Sequence, residues 1–247
     1  MANLSSVKTK LFLHMGPGFN CEIEKELFSE HFPEVEFWSQ PPCESMEELT
    51  GRSTEQVARL FETSGEAITL ICHSFGGAIA KQILQARPEL VKDLVLINSA
   101  FDPFECFINL APHAGVALPS NIRTASIEEK INFIIALASA PNLNELYWFS
   151  KEKMEAFAPV FAKHPQLNID TFLKVFPDFL AQTQDFKISK WNGNVSIFFS
   201  EQDRLLNRVK DIEPWLDVFP QAKLHAFANC GHYLHFDSTT AARAIFE

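Results

Sequence analysis

The stretch Ile68-Thr69-Leu70-Ile71-Cys72-His73-Ser74-Phe75-Gly76-Gly77-Ala78 decides how the rest of the chain is read. Six residues rich in Ile, Leu and other apolar types form a buried strand, and small residues then open a helix. Between them Ser74 has to occupy a sharp turn with strained backbone angles. In such a turn the positions two before and two after the serine must be small, or the strand and helix collide. Gly76 and Gly77 meet that demand on one side, and Cys72 stands on the other. A serine there lies at a helix N-terminus, where the Phe75 N–H points toward any oxyanion formed above it.

Working outward, apolar runs with strand character recur at 10–14, 35–38, 67–73, 94–98, 195–200 and 223–228. Stretches at 22–30, 54–62, 76–86 and 211–219 can each place apolar residues on one helical face. Strand and helix in alternation predict a parallel sheet covered by helices. From about 102 to 190 that rhythm breaks. Pro103, Pro112 and Pro119 predict an irregular entry, and 127–138, 146–156 and 171–182 have helical spacing. The expectation is an α/β core made of residues 1–101 and 191–247, with residues 102–190 inserted as a helical cap.

Three further strand ends carry chemistry. Leu13-His14-Met15-Gly16-Pro17-Gly18 closes the first strand in a turn whose Gly16 N–H is a second candidate oxyanion donor. His14 is read as bracing that loop. Phe199-Ser200-Glu201-Gln202-Asp203 delivers carboxylates to the same sheet edge as Ser74, where catalytic groups gather in open α/β sheets. Asn229-Cys230-Gly231-His232 hangs a histidine from a glycine-bearing loop. A serine hydroxyl is a poor nucleophile at neutral pH unless a base takes its proton, and a carboxylate fixes the tautomer of that base. Ser74, His232 and Asp203 supply nucleophile, base and acid in the chain order Ser, Asp, His. Glu201 and Asp102 are the competing acids; the alternative role for Asp102 is capping a helix near Pro103.

The segments HMGPGF, CHSFGGA, FFSEQD and NCGHYLHF resemble the signatures of the α/β-hydrolase superfamily, and within it the small cytoplasmic esterases with a helical lid. The resemblance covers nearly the whole chain, least of all the lid. It implies a mostly parallel sheet flanked by helices with an inserted cap. It also implies a triad of Ser74, Asp203 and His232, and an oxyanion hole of the Gly16 and Phe75 backbone N–H groups. Cleavage of a carboxylic ester or thioester follows, with C–C bond hydrolysis or a lyase reaction on the same triad as the rival and a non-catalytic binding protein as the outsider. Cys72 and Met15 stand where glycine is usual, and the short N-terminus predicts a sheet trimmed to about six strands.

Composition bounds the partners. With 47% hydrophobic and 21% charged residues in 247, the chain has ample material for one large core. A net charge of -10 repels phosphate backbones and anionic lipid surfaces, so neither nucleic acid nor membrane is expected as a partner, only a small-molecule substrate. No signal-like start precedes residue 10, and the apolar run 133–140 is too short to span a bilayer, so a cytoplasmic protein is expected. Cys21, Cys43, Cys72, Cys106 and Cys230 show no CxxC pairing and read as buried reduced thiols. No histidine–carboxylate spacing suggests a metal and no GxGxxG follows a strand, so no cofactor is expected.

Overall fold

The computed structural model describes residues 7–164, 167–182, 186, 188 and 191–247. Among the described residues six strands form one parallel sheet: β1 (Lys10–Leu13), β2 (Val35–Phe37), β3 (Ile68–His73), β4 (Val91–Ile97), β5 (Val195–Ser200) and β6 (Lys223–Phe227). Their spatial order is β2-β1-β3-β4-β5-β6, every neighbouring pair parallel. The helices between β1 and β4 are α1 (Glu22–Phe28), α2 (Met46–Ser64) and α3 (Gly76–Ala86). Between β4 and β5 run α4 (Pro103–Ala114), α5 (Ile127–Ala138), α6 (Leu143–Leu146), α7 (Lys151–Lys163) and α8 (Ile169–Ala181). A π-helical turn at Arg208–Ile212 leads into α9 (Glu213–Val218), and α10 (Leu234–Asp237) and α11 (Thr239–Phe246) follow β6.

Strand alternation sorts the core into two layers. Leu11, Leu13, Leu70, Cys72, Leu94, Leu96, Ile197 and Phe199 face α2, α3 and α9, where Leu49, Val57, Ile79, Ile83 and Trp215 close over them. Phe12, Ile71 and Phe198 face the other way, onto Phe28 beyond one edge and Ala242, Ile245 and Phe246 of α11. Because both faces are covered, the strands read as near-continuous apolar runs. Among the described residues no helix is long and apolar enough to cross a membrane.

Three expectations are corrected. The entry after β4 is irregular only around Pro119, between α4 and α5; α4 itself starts at Pro103 because Asp102 accepts the Phe104 N–H at 3.0 Å as N-cap. Pro103 sits at the first helical position, where an N–H would find no partner within the helix, and Gly115 at φ +70 closes the helix just after Pro112. The helix expected over 146–156 is instead divided into α6 and α7. The Leu146 and Trp148 carbonyls accept from Arg204 Nη1 at 3.3 and 2.8 Å, and the Tyr147 carbonyl accepts from the His232 N–H at 2.8 Å. A continuous helix would need those carbonyls for itself, and Ser150 starts α7 as a fresh N-cap. The helix expected over 54–62 begins earlier, at Met46, capped by Ser45.

Candidate active site

Ser74 follows β3 with φ +52, a left-handed conformation that a serine adopts only under constraint. The constraint is visible on both sides. A Cβ on Gly76 would lie 2.7 Å from the Leu13 carbonyl oxygen, and one on Gly77 would lie 2.1 Å from Ser99 Oγ. The Ser74 N–H donates to the Ile97 carbonyl at 2.9 Å and its carbonyl accepts from Ser99 Oγ at 2.6 Å, so the turn is pinned between β1 and β4. Cys72, two residues upstream, is wholly buried, and that burial holds its thiol well above the usual range, where it stays protonated.

Asp203 and His232, on the loops after β5 and β6, are joined. His232 Nδ1 donates to Asp203 Oδ2 at 2.8 Å with both side chains fully buried. Asp203 Oδ1 accepts the Leu205 N–H at 2.9 Å, which fixes the carboxylate plane. His232 Nε2 is buried and has no hydrogen-bond partner among the described residues, the Ser74 hydroxyl included. The rival acids are elsewhere: Asp102 caps α4, and Glu201 lies in an exposed turn.

In the loop carrying His232, each backbone polar atom of Gly231 and His232 has a partner. Asn98, at the end of β4 with φ +42, donates through Nδ2 to the Gly231 carbonyl at 3.0 Å and the His232 carbonyl at 2.9 Å. Ser200 Oγ donates to the Gly231 carbonyl at 2.7 Å, and the Gly231 N–H donates to Asp237 Oδ2 at 2.7 Å. Residue 231 must be glycine, since a Cβ there would lie 2.5 Å from the Phe149 nitrogen. Asn98, Ser200, Arg204 and Asp237 were not singled out from the sequence. An asparagine ending an apolar strand was the available signal, because asparagine tolerates the left-handed region.

The loop expected to hold an oxyanion is arranged differently. The Phe75 N–H donates to the Met15 carbonyl at 3.2 Å, and the Gly16 N–H points to His14 Nδ1 at a long 3.4 Å. His14 is buried, and loss of solvent lowers its pKa to about 3, so it stays a neutral acceptor. Beside Ser74 opens a cavity of about 160 Å³ whose wall includes Met15, Phe75, Phe107, Leu137, Phe172 and Phe176. Ser74, Cys106 and Tyr147 are the polar side chains on that wall, and no charged side chain among the described residues lines it.

His73 does not approach Ser74. Its Nε2 donates to the His232 carbonyl at 3.0 Å, and its ring stands edge-on to His235 with centroids 4.9 Å apart. Burial keeps His73 neutral. His73, His235 and Glu24 thereby converge in the interior, a histidine–carboxylate cluster that spacing along the chain does not reveal. The five cysteines are free and buried.

A strained serine after the third strand, an acid–histidine pair on the loops after the fifth and sixth, and helices on both faces of a parallel sheet define a hydrolase-type α/β protein. The model of the alpha/beta hydrolase fold family matches residues 41–239, well over half the chain, and the protein belongs to that family. No curated protein matches the sequence. Among solved structures, a proline iminopeptidase-related protein from Thermus thermophilus superposes with a TM-score of 0.69 at 17% identity, covering 98% of this chain and 88% of that one. An esterase from Exiguobacterium antarcticum gives 0.63 at 14% identity over 99% and 94% of the two chains. The 2-hydroxy-6-oxo-6-phenylhexa-2,4-dienoate hydrolase of a Rhodococcus species gives 0.63 at 16%, over 98% and 89%. At such identities the likeness is one of fold.

Proposed function

We propose that this protein is a serine hydrolase that cleaves carboxylic esters or thioesters of small apolar acids through an acyl-enzyme. The observation that carries the proposal is the buried 2.8 Å bond from His232 Nδ1 to Asp203, which leaves Nε2 as the unpaired nitrogen of an oriented imidazole. Ser74 Oγ attacks the acyl carbon while Nε2 takes its proton, and Asp203 stabilises the imidazolium without accepting that proton. The proton then goes to the departing alcohol or thiol, and water repeats the sequence to release the acid. The developing oxyanion is met by the Gly16 and Phe75 N–H groups once the Met15 carbonyl swings off Phe75, a rotation of the Met15–Gly16 peptide that glycine at 16 tolerates.

Cavity size and lining support the substrate class. An apolar cavity of about 150 Å³ is enough for benzene, so the 160 Å³ beside Ser74 suits an acyl group about the size of one six-membered ring. That none of the described residues lining it is charged disfavours the C–C hydrolase alternative, whose dienoate carboxylate would need a cation. We assign residues 102–190 as the cap over this cavity. Five unpaired thiols support a reducing, cytoplasmic setting.

A fluorophosphonate probe should label the wild type and leave Ser74→Ala unlabelled, with ester turnover falling by about 10³-fold or more in that variant. Folded wild-type protein that takes no label and turns over no ester, thioester or lactone would remove the proposal and favour a binding role.

A further inference from the structure

Three side chains from three separate elements meet behind His232: Glu24 on α1, His73 at the end of β3 and His235 in α10. Each offers one donor atom, and the three donors lie within 4.8 Å of one another. Their exposures are 6%, 0% and 2%. Each nevertheless keeps a buried polar atom without a hydrogen-bond partner, Glu24 Oε2, His73 Nδ1 and His235 Nδ1, and of these His73 Nδ1 is the one that joins Glu24 Oε1 and His235 Nε2 in the candidate donor set. A bare polar atom in the interior costs about 1–3 kcal/mol, more for a charged carboxylate. The rings of Phe12, Phe28, Phe236 and Phe246 pack around His235 and offer no hydrogen-bonding atoms.

Two details suit a metal better than a hydrogen-bond network. Because His73 Nε2 donates to the His232 carbonyl, its lone pair sits on Nδ1. A ring whose far N–H is tied to a carbonyl is the usual outer support of a metal-bound histidine. Glu24 Oε1 and His235 Nε2 stand 3.4 Å apart, long for a hydrogen bond. Two donors bound tetrahedrally to zinc at the usual bond lengths lie about 3.3–3.4 Å from each other.

We propose that Glu24, His73 and His235 form a binding site for one divalent transition metal, with zinc favoured by two imidazoles and a carboxylate. None of the three lines the cavity beside Ser74, so the ion braces and does not touch substrate. It ties α1, the end of β3 and α10 together, and through His73 it fixes the carbonyl of His232.

The test uses the full chain, stripped with a chelator and titrated with cobalt(II) and then zinc. The expected result is one equivalent of cobalt with the visible absorption of four-coordinate ion, its displacement by zinc, and a higher thermal midpoint with either metal. Glu24→Gln should weaken binding by about 100-fold or more; His235→Gln replaces it if that variant does not fold. Folded wild type that takes up no equivalent and shows no shift in midpoint overturns the site in favour of a buried water. Equal binding by wild type and a folded variant places the metal elsewhere and overturns it too.

Discussion

The loop that carries His232 and the loop that carries Gly16 flank the same serine, and they are built to opposite ends. Around His232 each backbone N–H and carbonyl of residues 231 and 232 has a partner, and the imidazole is aimed by Asp203. On the other side, the Phe75 N–H expected to receive negative charge is engaged by the Met15 carbonyl. In the proposed reaction the imidazole is already oriented by Asp203, whereas charge stabilisation would require a peptide to move. A base must hold one tautomer through every step, which rewards rigidity; an N–H donor needs to be free only while the oxyanion exists.

The most severe way to break the rigid side is Asp203→Asn, which should lower kcat by about 10⁴-fold through loss of the tautomer. Asp102→Asn, tested beside it, should leave kcat unchanged, because asparagine caps α4 as well as aspartate does. Next is Asn98→Ala, which leaves the Gly231 and His232 carbonyls short of a donor. Misplacing the imidazole should cost about 10²-fold in kcat with KM little changed. The mobile side is sharpened by Met15→Gly, which widens the angles open to that peptide. If opening limits turnover, kcat/KM on a small ester should rise by about fivefold.

The smallest effect is one of stability. Asp211 braces the Asp203 loop by accepting from Asn207 N at 2.5 Å and from Asn109 Nδ2 at 2.8 Å, and Asn109 also donates to the Leu205 carbonyl. Burial raises its pKa to about 6, above the 3.8 of an unperturbed aspartate. The folded state therefore holds this proton more tightly than the unfolded chain, and the contribution to stability is lost as pH rises through 6. Asp211→Asn, which cannot ionise, should match wild type near pH 4 and exceed it by about 1–2 kcal/mol at pH 8 in thermal or urea unfolding.

The elbow was legible because strain, small residues and a strand-to-helix change coincide within eleven positions. The strands were legible because both faces are buried and the apolar runs are short. What escaped depends on contacts between distant segments. Arg204 and His232 draw on the carbonyls of 146–148, so a helical pattern over 146–156 could not reveal the break. The side-chain partners of Asn98 lie beyond residue 199, and Glu24 meets His235 across nearly the entire chain. The Met15 carbonyl on Phe75 N–H is a backbone orientation, which no side-chain pattern encodes.

Residues 147–149 lie against Gly231 while Tyr147 forms part of the cavity wall. That piece of chain is tied to the His232 loop, since shifting it would drag His232, the proposed base, along. Leu167 and Ile169 also edge the cavity and stand 43% and 52% open to solvent, so the cavity meets solvent at a rim that is not tied to His232. If the proposed hydrolysis holds, the release of a bulky acid past those two side chains, and not bond breaking, would set the pace of each cycle.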